Sequence, residues 1–310
     1  MTLPIHGLHH VTAMASSPQA NNDFFTRTLG LRRVKKTVNF DDPGTYHLYY
    51  GDGQGTPGSV MTYFPFPNIR QGRPGIGEVG ETAFSVPTGT LGFWKERLAG
   101  LGVEGLVETE AFGEKSLRFL GPDQDALALT EVGNDTRSGW TGGDVDGAEA
   151  VRGFRGATLR LRDAGATGEL LRFMGYDHLD TDGGVVRYGI ANGNGADILD
   201  IEKLPGAEHA EPGAGSVHHI AFAVPDRAAQ LEVRKALIDT GYQVTPVIDR
   251  DYFWAIYFRT PGGVLFEVAT DEPGFTRDEP ADRLGQSLKL PAQHERLRLQ
   301  LENHLQPIID

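Results

Sequence analysis

The chain has 310 residues, enough for two domains of ordinary size and a sizeable core. Its 42 acidic side chains against 29 basic ones leave a net charge of −13, and no block of Lys and Arg interrupts that excess, which argues against nucleic acid or an anionic membrane surface as partner. With no cysteine, disulfides, thiolate ligands and a cysteine nucleophile are excluded, so any metal must be held by histidine and carboxylate.

The start MTLPIHGLHH lacks a charged region followed by an apolar one, and no stretch approaches about eighteen uninterrupted apolar residues. A cytoplasmic protein that does not enter a membrane is therefore expected.

In chain order, a strand (LHHVTAM) leads to Ser17-Pro18, an N-cap followed by a first helical residue, and then to a helix carrying Phe24, Phe25 and Leu29 that Gly30 closes. Further strands follow, with a hairpin at Asp42-Pro43-Gly44. The same order returns at ETAFSV, with a helix through Leu91, Trp94 and Leu98 ending between Gly100 and Gly102, and strands running to LALTEV. A third copy begins at GATLRLR, with Leu170, Leu171 and Phe173 on a helix that stops at Gly175. The fourth starts at HHIAFAVPD and carries Leu231, Val233, Ala236 and Leu237 on a helix that stops at Gly241.

Each copy reads as β-α-β-β-β, so the fold expected is α+β, with four βαβββ modules. Residues 1–133 would form a first domain of two units and 154–271 a second, joined by a Gly-, Asp- and Thr-rich linker over 134–153. A C-terminal extension, 272–310, contains a helical stripe at Leu297, Leu301 and Leu305 that would pack on the body or on a second subunit, and a homo-oligomer is expected.

The pair His9-His10 in GLHHVTA recurs as His218-His219 in SVHHIAFAV, and Glu267 sits in the last strand segment, PGGVLFEVA. Two imidazoles and one carboxylate on strands can leave one face of a divalent metal open, the arrangement that suits non-haem Fe(II) oxygen chemistry. Overlaying the copies puts Gly80 and Glu81 at the places of His218 and His219, Gly156 and Ala157 at the histidine places of the third unit, and Ala128 opposite Glu267. Only the first and fourth units are equipped for metal, so these two are expected to lie together around one cavity.

Strand alternation places Thr12 on the face of His10, and would turn His9 and His218 away from their neighbours unless the strand twists or its end curls. His47 and Tyr49 share a face and could wall a pocket, although packing of the hairpin is the role expected of them. On the sequence alone, Arg250 could be a solvated loop charge and Tyr257 a packed strand aromatic.

From GLHHVTA through LGLRRVKKTVNFDDPGTYHLYYGD and PGSVMTYFPFP to VHHIAFAV and IYFRTPGGVLFEVATDEPGF, the chain resembles the vicinal-oxygen-chelate (glyoxalase/bleomycin-resistance/extradiol dioxygenase) superfamily, and within it the hydroquinone-type ring-cleaving dioxygenases. The resemblance implies two vicinal-oxygen-chelate domains with curved, cup-like mixed sheets. It also implies His10, His219 and Glu267 as metal ligands, with His9, Thr12, His218, Arg250 and Tyr257 lining the substrate pocket or standing behind the ligands. The implied activity is Fe(II)-dependent cleavage, by dioxygen, of a para-dihydroxylated aromatic that can carry substituents. Mn, Zn, Ni or Co could replace iron during purification.

Three alternatives stand beside this reading. A catechol-type extradiol enzyme of the same superfamily would draw its histidines from the third and fourth units. A glyoxalase-type isomerase or thiol transferase would use a metal without consuming oxygen and would add a fourth protein ligand. A metal-free binding protein of the same fold would need no aligned ligands.

Overall fold

The computed structural model describes residues 3–310. Unit one comprises β1 (Leu8–Ala15), α1 (Pro18–Asp23), a π-helical turn (Phe24–Thr28), β2 (Arg32–Val38), β3 (Tyr46–Gly51) and β4 (Val60–Pro65). Unit two comprises β5 (Glu78–Val86), α2 (Leu91–Gly100), β6 (Val107–Ala111), β7 (Glu114–Leu120) and β8 (Ala126–Glu131). Unit three has β9 (Gly153–Leu161), α3 (Gly165–Phe173), β10 (Asp177–Asp182), β11 (Val185–Gly189) and β12 (Ile198–Lys203). Unit four has β13 (Val217–Val224), α4 (Arg227–Asp239), β14 (Ile248–Asp249), β15 (Phe253–Arg259) and β16 (Leu265–Pro273). The α+β fold of four βαβββ units is thus present, arranged as two curled, mixed, eight-stranded sheets.

Helix boundaries follow local chemistry. Ser17 Oγ accepts from the Ala20 amide at 3.3 Å and Pro18 fills the first helical position, which starts α1. Gly175 and Gly241 follow α3 and α4 with φ of 99° and 95°, a conformation that a Cβ would penalise. In α4, Val233 and Leu237 are buried one turn apart, and the fully buried Gln230 donates to the Trp254 and Val268 carbonyls, fastening the helix to its sheet.

Strand order decides where the site lies. One sheet runs β14-β15-β16-β13-β1-β4-β3-β2 and the other β10-β11-β12-β9-β5-β8-β7-β6. Each sheet therefore draws on both halves of the sequence: the outer units, first and fourth, make one cup, and the inner two make the other. The antiparallel β1–β13 seam brings the two His-His pairs side by side, as the confinement of the histidines to those units leads one to expect.

The C-terminal extension packs on the body. Leu301 and Leu305 of the α5 (Arg298–His304) region are buried in the main apolar cluster, with Leu288 and Leu297 against it. Lys35, fully buried on β2, donates to Asp278 at 2.6 Å, Glu279 at 2.5 Å and the Phe275 carbonyl at 3.1 Å, tying the extension to the edge of the cup formed by the outer units. The buried Glu279 and the exposed Asp278 carboxylates, with the Phe275 carbonyl, satisfy the ammonium's donors, which is the condition for burying that charge.

Candidate metal centre and cavity

His10 on β1, His219 on β13 and Glu267 on β16 are all buried and converge on one point. His10 Nε2 lies 3.4 Å from His219 Nε2 and 3.5 Å from Glu267 Oε2, and His219 Nε2 lies 2.9 Å from the same oxygen. Two nitrogens about 2.1 Å from a shared cation would stand roughly 3 Å apart, close to what is found. Neither Glu267 oxygen receives a hydrogen bond of acceptable geometry among the described residues. A buried carboxylate left in that state costs several kcal/mol on its own, about the scale that a bound cation would offset. Burial opposes ionisation of Glu267, yet His10 and His219 hold its carboxyl well below the usual carboxylate range. The donor set therefore fits a divalent metal.

How both histidines of each pair come to contact one another is a matter of register. Across the seam, Leu8 pairs with Phe222 and His10 with Ala221, so His9 is an extra residue on β1; Thr12 pairs with His219 and Ala13 with Val217, so His218 is an extra residue on β13. These are two β-bulges, which set aside strict alternation at the bulged residue. As a result His9 Nδ1 lies 2.9 Å from His10 Nδ1 and His218 Nδ1 lies 2.7 Å from His219 Nδ1. Each inward imidazole is fixed at Nδ1 by its neighbour, leaving Nε2 for the centre. Burial, with His10 adjoining, lowers the pKa of His9 to about 3, so it is neutral at pH 7.

The centre opens into a cavity of about 410 Å³, within the range of small-molecule sites. Met14, Phe40, Phe64, Phe66, Phe253 and Leu265 supply its apolar walls. His47, Tyr49, His218, Arg250 and Tyr257 supply polar groups. Of the positions expected behind the ligands, His218 faces the cavity at an exposed position, while His9 lies behind His10 against Phe253, with ring centroids 5.2 Å apart. Thr12 is fully buried opposite His219. Tyr257 pairs directly with Glu267; burial and the Glu267 charge push its phenol well above its ordinary range, and it stays protonated. Arg250 Nε lies 3.3 Å from the Tyr257 hydroxyl, and its Nη1 lies 3.1 Å from Asp41 of the β2–β3 loop.

His47 and Tyr49, expected chiefly to pack the hairpin, wall the cavity as well. Other cavity residues escaped the sequence reading. Phe40 and Asp41 come from the turn before β3, and Phe64 and Phe66 from the end of β4; nothing in their sequence context signals a pocket.

The inner cup keeps the same two bulges without the ligands. Val79 pairs with Leu159 and Glu81 with Thr158, making Gly80 extra; Ala83 pairs with Gly156 and Phe84 with Phe154, making Arg155 extra. Gly80 and Glu81 thus occupy the places of His218 and His219, and Ala128, opposite Ala83, stands for Glu267. The third unit needs a correction: Arg155 and Gly156, not Gly156 and Ala157, stand where His9 and His10 do, because Phe154 pairs with Phe84 across the inner seam as Leu8 pairs with Phe222 across the outer one. Arg118, in Tyr257's place, forms an ion pair with Glu81 at 2.8 Å, so the inner cup closes on itself with charge pairs where the outer cup gathers a metal set.

Fold and donor set together define a protein of paired βαβββ cups, one of which gathers a candidate metal site. Residues 7–268 match the Glyoxalase/Bleomycin resistance protein/Dioxygenase superfamily, and the chain belongs to it. It is 44% identical over 302 residues to the Bacillus subtilis (strain 168) protein named "Putative ring-cleaving dioxygenase MhqO", covering 97% of this chain and 96% of that one. It is 36% identical over 318 residues to a Sphingobium indicum chlorohydroquinone/hydroquinone 1,2-dioxygenase, covering 97% of each. A Bacillus subtilis crystal structure titled a "putative dioxygenase" superimposes with a TM-score of 0.95 at 42% identity, covering 99% of both chains. Among the described residues no helix is long and apolar enough to cross a membrane.

Proposed function

We propose that this chain is an Fe(II)-dependent ring-cleaving dioxygenase that opens a hydroquinone-type aromatic, substituted or not, with dioxygen. The observation that carries the reading is the buried set His10, His219 and Glu267 opening onto an aromatic-walled cavity with room for a substituted ring. The named relatives support the reaction class.

In this reading His10 and His219 bind through Nε2 and Glu267 through its carboxylate. Iron, when bound there, supplies the redox chemistry that couples the ring to oxygen. The rest falls to the protein. With Nε2 lone pairs turned to the centre, the Nδ1 protons of His10 and His219 are donated to His9 and His218, whose own protons then sit on Nε2. That leaves His218 with an N–H directed at the cavity, able to hold a substrate oxygen. Arg250, held by Tyr257 and Asp41, is a permanent positive charge that favours a phenolate. Tyr257 keeps its proton until a group at the centre needs it. Phe64, Phe66 and Met14 exclude water from the ring.

A glyoxalase-type isomerase is disfavoured because the cluster holds three donors, with no fourth among the described residues. We further infer a cytoplasmic homo-oligomer, which light scattering after size-exclusion chromatography tests for assembly. The deciding experiment for the reaction is oxygen uptake by the Fe(II)-loaded chain with hydroquinone, run beside catechol and a hemithioacetal. Uptake with hydroquinone is expected; isomerisation of the hemithioacetal without uptake would overturn the reading.

A further inference from the structure

The C-terminal extension grips the mouth of the cavity. Asn39, Phe40 and Asp41 supply part of the wall from the β2–β3 loop, which turns on itself: the Asn39 amide donates to the Thr45 carbonyl at 2.8 Å and the Thr45 amide to the Asp42 carbonyl at 3.1 Å. Those bonds shape the turn without tying it to the body. Among the described residues, hydrogen bonds leave the turn over 40–44 at two points only. Asp41 accepts from Arg250 at 3.1 Å, and the Phe40 carbonyl faces the extension, 2.9 Å from His294 Nε2 and 3.4 Å from Gln293 Nε2.

The two links differ in what they can bear. The Asp41 side chain is 76% exposed, and an ion pair so open to water contributes about 0–1 kcal/mol, too little to fix a loop by itself. The other link ends on a carbonyl, which can only accept, so His294 carries a proton on Nε2 and donates it. Its foundation is firm. The 3₁₀ turn Ala292–Leu297 follows the buried Pro291, whose carbonyl accepts from the His294 amide at 2.8 Å, and Leu301 and Leu305 beyond it are buried in the main core. Ahead of it, the Lys289 amide donates to the Lys36 carbonyl at 2.9 Å, along the edge of β2. The Arg250 side of the mouth is held by the start of the same extension, where Arg277 donates to the Asp251 carbonyl and Asp278 accepts from the Tyr252 hydroxyl at 3.0 Å. One segment thus grips both loops that meet at the Arg250–Asp41 pair.

We propose that His294 is a positioning residue: by holding the Phe40 carbonyl it keeps the Phe40 ring and Asp41 against Arg250, and so sets how tightly the cavity holds the ring of its substrate. His294 itself lies outside the cavity lining. That the occupant is a hydroquinone-type ring rests on the dioxygenase reading; the hold on the wall does not. The Phe40 ring lies 5.9 Å from the Arg250 guanidinium carbon, within cation–π range. A wall that swings out therefore takes from Arg250 both a ring face and its carboxylate partner. Arg250 keeps its contact with Tyr257, so the consequence falls on substrate affinity and leaves turnover of the bound ring in place.

The test removes both donors from the full-length chain, Gln293→Ala together with His294→Ala, so that Gln293 cannot take over. Hydrogen–deuterium exchange followed by mass spectrometry, with neither metal nor substrate added, should show the segment over 39–45 exchanging about fivefold faster, the scale of one lost hydrogen bond, with β1, β13 and β16 unchanged. In ring-cleavage kinetics with Fe(II) saturating, KM for hydroquinone should rise about fivefold while kcat stays within about twofold. Gln293→Ala together with His294→Gln, which returns a side-chain N–H to the same place, should bring both readouts back to within about twofold of wild type. Unchanged exchange over 39–45, a KM within about twofold of wild type, a loss confined to kcat, or no recovery with Gln at 294 would each overturn the proposal. A wild-type chain that cleaves no ring would sink the dioxygenase reading, and exchange with its recovery would then decide the hold on the wall alone.

Discussion

Tyr257 stands directly opposite Glu267 across the β15–β16 ladder, with its hydroxyl 3.3 Å from Nε of Arg250. The phenol is thus held between a buried carboxylate and a guanidinium, at the rim of the metal set and inside the cavity. If its hydroxyl serves the reaction, Tyr257→Phe keeps the ring and its T-shaped contact with His219, 5.7 Å between centroids. Fold and metal content should be unchanged, and turnover should fall by roughly 10²- to 10⁴-fold. Steady-state kinetics with iron and substrate saturating checks this; turnover within about twofold of wild type would remove the phenol from the reaction.

Glu267 carries the one negative charge in the cluster, and neither of its oxygens receives an acceptable hydrogen bond among the described residues. Glu267→Gln keeps its volume and removes the charge. Metal affinity should fall by more than the roughly ten- to hundredfold that loss of a partner behind a ligand costs. Competition against a chelator measures it, with circular dichroism to verify the fold. Unchanged affinity would return Glu267 to the status of a buried strand carboxylate.

His9 contacts no cavity space of the centre and acts only through His10, by the 2.9 Å Nδ1–Nδ1 contact. His9→Ala should weaken metal binding about ten- to hundredfold. His9→Asn, which keeps an acceptor near the same place, should recover part of the loss. Equal affinities in all three proteins would show that the bulge, without its histidine, suffices to aim His10.

The repeats made the cup architecture and the pairing of the outer units legible in the sequence, because a ligand kept in two copies and lost in two others marks its own location. The convergence of His10, His219 and Glu267 was legible for the same reason. The bulges were not, since an extra residue leaves no trace in composition or alternation. That is why strict alternation misplaced His218. His47 and Tyr49 read as hairpin packing because their partners, Thr62 and Thr12, are distant in sequence and meet only through the β3-β4-β1 order.

A last prediction concerns a carboxylate remote from the metal. Asp125, on the loop before β8, is buried where the two cups meet; it accepts from the Tyr63 hydroxyl at 2.7 Å and has no cationic partner among the described residues. Burial pushes its carboxyl up to about 6, and the hydrogen bonds it accepts only partly oppose that shift. A folded-state value above the unfolded one means that the proton favours the fold. The contribution is fully present below about pH 4 and is lost as pH rises through about 6. The shift, about two units, corresponds to about 3 kcal/mol. Asp125→Asn cannot titrate, so whatever its absolute stability, it should gain about that much relative to wild type between pH 4 and pH 7. Urea unfolding of both proteins at the two pH values measures the difference. A gap independent of pH would show that Asp125 is ionised at both, with its charge satisfied where it lies.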